Sequence, residues 1–276
     1  MNTEKTSISR QTLIGIIAII LVLCAVCCGY VVIKFIAYEN SQNHHINDLQ
    51  GEVSFLSNKL NAYMSMEKAE WSDEGFNFLA IGNSITKHEI GSSWWNEVGM
   101  AATDEEHDYY HLVLNGLESK EKNVTSYVYN FATWETQSKD RDETFMLIDS
   151  YLDDELDLVT IQLGENASDL TTFKEDYISL INYIKENAPK AQLIIVGDFW
   201  ENGNRDSIKE AVASECDITY VSLAEIKNNT DYQCGIGAIV YDSEGNEHTV
   251  EHEGVAAHPS NKGMEYIANA ILNEIQ

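Results

Sequence analysis

Three short segments carry the residue types that nucleophilic catalysis needs. Ile81-Gly82-Asn83-Ser84-Ile85-Thr86 follows an apolar run and puts a hydroxyl where a buried strand would give way to a helix. At such a crossing a helix N-terminus offers backbone N–H groups and a positive dipole end to an oxyanion. A helix-capping serine beside a turn glycine has the same pattern, so this segment alone does not decide. Gln162-Leu163-Gly164-Glu165-Asn166 ends a second apolar run. Its glycine lets backbone approach a site closely, and its asparagine amide can donate to developing negative charge, although Gly-x-Asn alone is a common turn. Ala257-His258-Pro259-Ser260 stands before the last helical segment. A histidine fixed there by a proline can take a proton from a serine on a neighbouring strand end. The chain has 8 histidines, so position rather than presence singles out His258.

Taken together and in this order, the three segments resemble the blocks of the SGNH/GDSL hydrolase family. Gly82-Asn83-Ser84 resembles its first block, with Asn83 where aspartate is usual; Gly164-Glu165-Asn166 resembles its Gly-x-Asn block, and His258-Pro259 its last. The resemblance covers about residues 74 to 276. It implies a flavodoxin-like three-layer α/β/α fold around a parallel sheet, and serine esterase chemistry without metal or cofactor. It further implies Ser84 as nucleophile, His258 as base, and an oxyanion hole built from the Ser84 N–H, the Asn166 side chain and Gly164. The family's oxyanion glycine has no counterpart in Val128–Glu135, where the N–H of Ala132 or Thr133 would stand in. The family's aspartate three residues before the histidine is here Val255. Either a backbone carbonyl orients the imidazole of a Ser84–His258 dyad, or another acid such as Glu253 does so.

His88 lies four residues after Ser84, and Trp94, Trp95, Trp134 and Trp200 fall near segments that should converge on the same sheet edge. Aromatic faces suit sugar rings, which makes His88, Trp134 and Trp200 candidate substrate contacts. Core or rim packing is the alternative for each tryptophan. The function read from these residues is removal of small O-acyl groups, such as acetyl, from glycans. Two alternatives stand beside it: an O-acyltransferase to a sugar hydroxyl, and a non-catalytic binding module on the same fold. The histidine pairs His44-His45, His107/His111 and His248/His252 lack the cysteine framework of a structural zinc site, and no metal is expected there.

The elements that must position these groups are legible as alternating strands and helices. Phe76–Ile81, Leu156–Leu163 and Gln192–Val196 are apolar runs suited to burial on both faces of a parallel sheet. Phe173, Tyr177, Leu180, Ile181 and Ile184 have helical spacing, and Pro189 stops that helix. Ser207–Ala213 and Lys262–Ile275 read as two more helices. Strand and helix in alternation predict a parallel sheet covered on both sides.

The segments before Trp71 have a different character. Thr12–Ile33 carries no charged residue and is long enough to cross a hydrocarbon core of roughly 30 Å, so residues 12–37 are expected to form an uncleaved transmembrane anchor. Residues 1–11 then stay in the cytoplasm and 71–276 lie outside the cell. Within the stalk, 38–70, Ile46, Leu49, Val53, Leu56, Leu60 and Tyr63 follow three-four spacing. That seam would join two copies as a short coiled coil, or else pack as one amphipathic helix on the globular domain. With 17 basic against 45 acidic side chains the formal charge is −28, which repels phosphate backbones and excludes nucleic acid as a natural partner. In an exported domain Cys216 and Cys234 are candidates for one disulfide, if their Cβ atoms come within reach.

Overall fold

The apolar runs form five parallel strands in the order β2-β1-β3-β4-β5: β1 (Phe76–Gly82), β2 (Val124–Asn130), β3 (Leu158–Gln162), β4 (Gln192–Val196) and β5 (Thr219–Val221). The computed structural model describes residues 68–275 apart from Lys122, Ser138, Lys139 and Asn202, together with Lys34 and Tyr38. The apolar run Thr12–Ile33 and the heptad seam Ile46–Tyr63 lie outside them, and no described helix is long and apolar enough to cross a membrane.

Among the described residues of 68–275, six α-helices accompany the strands: α1 (Tyr109–Glu118), α2 (Ala132–Thr136), α3 (Phe173–Asn187), α4 (Arg205–Glu215), α5 (Glu253–Ala256) and α6 (Asn261–Leu272). Side chains alternate across a strand, and here both faces are buried. Leu79, Ile81, Val159, Ile161, Leu193 and Ile195 face α3 and α4, packing on Phe173, Tyr177, Ile181 and Val212. Phe78, Ala80, Leu158, Ile194 and Val196 face α1 and α6, packing on Tyr109, Val113, Met264 and Ile267. The result is three layers, helix–sheet–helix. A third cluster, built on Trp94, Val98, Met100 and Val255, lies beneath a hairpin of β6 (Ile239–Tyr241) and β7 (Glu247–Thr249).

Register brings the chemistry to one edge. Gly82 at the end of β1 pairs with Asn130 of β2 and with Gln162 of β3, so the three chains leave the sheet level with one another. In this strand order the connections diverge between β1 and β3, where open α/β sheets form a crevice at the carboxyl ends of their strands. The segment holding Ser84 follows β1 and the segment holding Gly164 follows β3.

Two expectations change here. The helix expected after Ser84 is a single turn: the N–H groups of Thr86 and Lys87 both donate to the Asn83 carbonyl at 3.0 Å. The chain then folds back, with the His88 N–H donating to Val98 O and the Gly91 N–H to Trp94 O, and a helix cannot propagate. No helix dipole therefore acts at Ser84. Cys216 and Cys234 are both free thiols, because one packs against the α3–α4 core and the other against the hairpin cluster.

Candidate active site

Gly82 closes β1 where no side chain fits. A Cβ there would lie 1.8 Å from Thr86 Oγ1 and 2.9 Å from the Gln162 carbonyl. The next residue, Asn83, is fully buried and its Oδ1 accepts the Ile85 N–H at 3.0 Å, which tightens the turn that carries Ser84. The Ser84 carbonyl accepts the Met100 N–H at 2.8 Å, fastening the turn to the returning loop.

His258 comes from the other end of the chain. α5 is capped by the His252 ring, which accepts the Gly254 N–H at 3.1 Å, and α6 by Ser260, whose Oγ accepts the Gly263 N–H at 3.4 Å. Between these caps the His258 carbonyl accepts the Cys234 N–H at 2.9 Å, and the Trp200 indole N–H donates to Ala257 O at 3.0 Å. The Trp200 ring meets the imidazole edge-on, with centroids 4.8 Å apart. So anchored, His258 Nε2 lies 2.8 Å from Ser84 Oγ.

The tautomer follows from the second ring nitrogen. Nδ1 stands 2.7 Å from the Gly254 carbonyl, which can only accept, so Nδ1 carries the proton and Nε2 presents its lone pair to the Ser84 hydroxyl. Burial pushes the His258 pKa down to about 4, partly offset by the Gly254 carbonyl and reinforced by His88. A ring that is neutral at pH 7 is in the form a general base requires. Of the two ways to orient the ring that the sequence left open, the structure has the backbone carbonyl, that of Gly254 at Nδ1, while Glu253, the alternative acid, is exposed at the start of α5.

The oxyanion groups differ from expectation in two places. The Gly164 N–H donates to Glu135 Oε1, and the Ala132 N–H donates to Asn130 Oδ1 at 3.0 Å. Both amides are already bonded, so neither is available to an oxyanion. The Ser84 N–H has no acceptor among the described residues. Asn166 is exposed and gives one Nδ2 hydrogen to Glu135 Oε2 at 2.5 Å, leaving the other for a ligand. Gly164 itself is required by geometry: its φ is +138°, and a Cβ would meet Lys209 Cε at 2.8 Å.

Below this surface lies a charged layer that the sequence did not announce. Asn83 Nδ2 donates to Glu135 Oε1 at 3.0 Å and to Glu165 Oε2 at 2.7 Å. Gln162 Nε2 and the Phe199 N–H donate to Glu165 Oε1 at 2.6 and 3.1 Å. Asp198 pairs with Arg205 and Lys209 at 2.5 Å each, all three almost wholly buried. Burial, and then the charge of Asp198, raises the Glu165 pKa above the ordinary glutamate range. Glu135 stands one turn beyond Phe131, and Glu165 occupies the variable position of Gly-x-Asn. Only their acidity within apolar surroundings hinted at either.

Two clefts flank His88, whose Nδ1 bonds the Glu89 carbonyl at 2.7 Å. One, of about 370 Å³, is lined by Trp94, Met100, Val255, Gly254 and His258. The other, of about 470 Å³, is polar, with Lys87, Glu97, Tyr129, Asn130 and Tyr151 on its walls. Trp134, expected to contact substrate, is completely buried against Phe173 and Tyr177, because α2 turns it inward beneath the sheet edge. Trp200 holds the histidine loop, and Trp95 stacks on His248 with centroids 4.6 Å apart.

No family model matches the sequence, and no curated protein matches it either. Solved structures similar to the chain include an extracellular lipase from Streptomyces rimosus, 13% identical, at a TM-score of 0.46 over 73% of this chain and 100% of that one. A family two carbohydrate esterase from Clostridium thermocellum, solved with cellohexaose, is 16% identical at a TM-score of 0.46; the match covers 75% of this chain and 65% of that one. A phospholipase A1 from Streptomyces albidoflavus is 13% identical at 0.46, over 73% and 100%. The chemistry rests on this chain's own side chains.

Proposed function

We propose that this chain is an ester hydrolase of the SGNH/GDSL type. The observation that carries the reading is the 2.8 Å contact between Ser84 Oγ and His258 Nε2, with Nδ1 fixed by the Gly254 carbonyl. In the reaction, Nε2 takes the Ser84 proton as Oγ attacks the ester carbonyl, and the carbonyl π electrons move onto oxygen. The Ser84 N–H and the free Asn166 Nδ2 hydrogen receive that charge. Imidazolium then protonates the departing alcohol. Water, deprotonated by the same nitrogen, releases the acid and restores Ser84.

The substrate proposed is a small acyl ester, acetate above all, on a glycan hydroxyl. The apolar wall of Trp94, Met100 and Val255 beside the imidazole suits the acyl group, and the polar cleft across His88 suits a polyol. The uncharged run Thr12–Ile33 supports tethering at the membrane with the catalytic unit outside the cell.

Labelling the full-length chain with a fluorophosphonate and weighing it intact tests the mechanism. Wild type should gain one adduct, and Ser84→Ala and His258→Ala none. A folded wild type that stays unlabelled would sink the dyad.

A further inference from the structure

Glu135 is 1% exposed, yet its carboxylate accepts from three groups that belong to two different segments. Oε1 receives Asn83 Nδ2 at 3.0 Å and the Gly164 N–H; Oε2 receives Asn166 Nδ2 at 2.5 Å. Asn83 precedes the nucleophile and shapes its turn, whereas Gly164 and Asn166 belong to the loop after β3. One side chain therefore ties the nucleophile turn to the loop that supplies the oxyanion donor. It also comes from α2, the segment whose expected contribution was a backbone amide. The Ala132 amide is capped by Asn130 instead. What this segment offers the site is an acceptor one layer further in.

We infer that Glu135 is the positioning residue of the oxyanion hole: by binding one Nδ2 hydrogen of Asn166, it aims the other at the acyl oxygen. The inference rests on the hydrolase reading and adds a component to it. Rotation about the Asn166 side chain would otherwise exchange a donor for an acceptor. An amide oxygen turned toward an oxyanion repels it. A carboxylate removes that choice, because all its positions accept and only the NH₂ end of Asn166 can face it. The same property explains why a neutral amide does not suffice at position 135. With three donors converging on two oxygens, glutamine would keep Asn83 and Gly164 on its single oxygen. Its own NH₂ would then face Asn166, whose amide must flip or swing away.

Glu135→Gln is thus a selective perturbation, and it is tested in the full-length chain with p-nitrophenyl acetate. The variant should lose about a hundredfold to a thousandfold in kcat, the loss expected for one oxyanion donor, with KM within about threefold of wild type. Asn166→Ala should lose a similar factor, and the double variant should be no worse than either single one. The pH midpoint of kcat/KM should stay where wild type has it, since Ser84 and His258 remain in place; a collapsed site would move it. A kcat for Glu135→Gln within threefold of wild type would overturn the inference, as would losses that multiply in the double variant. Turnover unaffected by Ser84→Ala would overturn the hydrolase reading itself, and that control is scored separately from the Glu135 arms.

Discussion

The acid limb of the pH–rate profile offers a test with a large margin. Among the described residues no carboxylate stands at His258 Nδ1; the ring's partners there are the Gly254 carbonyl at 2.7 Å, the Trp200 ring edge and Ser84. Burial disfavours the imidazolium, and a carbonyl compensates less than an aspartate would, so the pKa falls to about 4. The reactive form is the neutral ring. At pH 5 about 90% of the molecules carry it if the pKa is about 4, against about 3% at the ordinary value of about 6.5, a difference of roughly 30-fold in kcat/KM. The assay is acetate release from an aryl acetate between pH 3.5 and 8, with kcat/KM reporting the free enzyme. Glu253→Gln, run beside wild type, should change kcat/KM by less than about twofold, because the carboxylate is not at the ring. In a triad, loss of the orienting acid costs about 10⁴. A wild-type midpoint near 6.5, or a hundredfold loss in Glu253→Gln, would refute the argument that burial and a backbone carbonyl set this base. The linkage has a matching sign. A folded pKa below the unfolded value means that the unfolded chain binds more protons between pH 4 and 6.5, so this group makes stability fall as pH drops through that window.

Asn83→Asp keeps the acceptor for the Ile85 N–H but turns the donor toward Glu135 and Glu165 into a third carboxylate; urea unfolding at pH 7 should show a loss of about 3 kcal/mol that shrinks at pH 5, and a loss independent of pH would contradict the contact scheme. Gly82→Ala forces a methyl to within 1.8 Å of Thr86 Oγ1, so it should cost about 1–3 kcal/mol and slow fluorophosphonate labelling of Ser84; unchanged labelling would show that the turn tolerates a side chain. Glu165 holds its proton more tightly in the folded state than in the unfolded chain, so it contributes stability at acid pH that is lost as pH rises beyond the ordinary glutamate range. Glu165→Gln should flatten that decline in denaturation curves taken from pH 4 to 8, and a wild-type slope retained in the variant would place the titration elsewhere.

The central strands and main helices were legible because burial on both faces and helical spacing leave strong patterns. β4 occupies Gln192–Val196 as read, α3 ends at Asn187 ahead of Pro189, and β1 and β3 differ from expectation only at their ends. β2 escaped notice because Val124–Asn130 lies half-buried along its whole length and lacks a clean alternation. β5 and the strands of the hairpin have three residues each, too short to show a period. The sequence leaves Trp134 between substrate contact and core packing, because an indole in an apolar stretch reads the same whether it faces a cleft or the core; the structure gives the core. The meeting of Ser84 with His258 lies across 174 residues and could be expected only from the order of the blocks. Nothing local marked Gly254, because what it contributes is a carbonyl, and every residue has one.

Two of the three departures from the pattern that the blocks resemble are consistent with one electrostatic arrangement. Where an aspartate would orient the histidine stands Val255, buried in the hairpin cluster, and a neutral carbonyl takes over the ring. Where an aspartate would precede the serine stands Asn83, whose amide faces two carboxylates. Among the described residues no acidic group meets the imidazole, and Glu135 and Glu165 meet beneath the Gly164–Asn166 loop, close to where Arg205 and Lys209 are bound to Asp198. A charge placed there cannot raise the basicity of His258 as a directly bonded aspartate would, since it makes no contact with the ring. It can hold donors in place, and Glu135 holds three. In the proposed reaction, such a site gives up some strength of its base in exchange for a neutral ring in mildly acidic surroundings. It then depends more heavily on how rigidly the Asn166 amide is held.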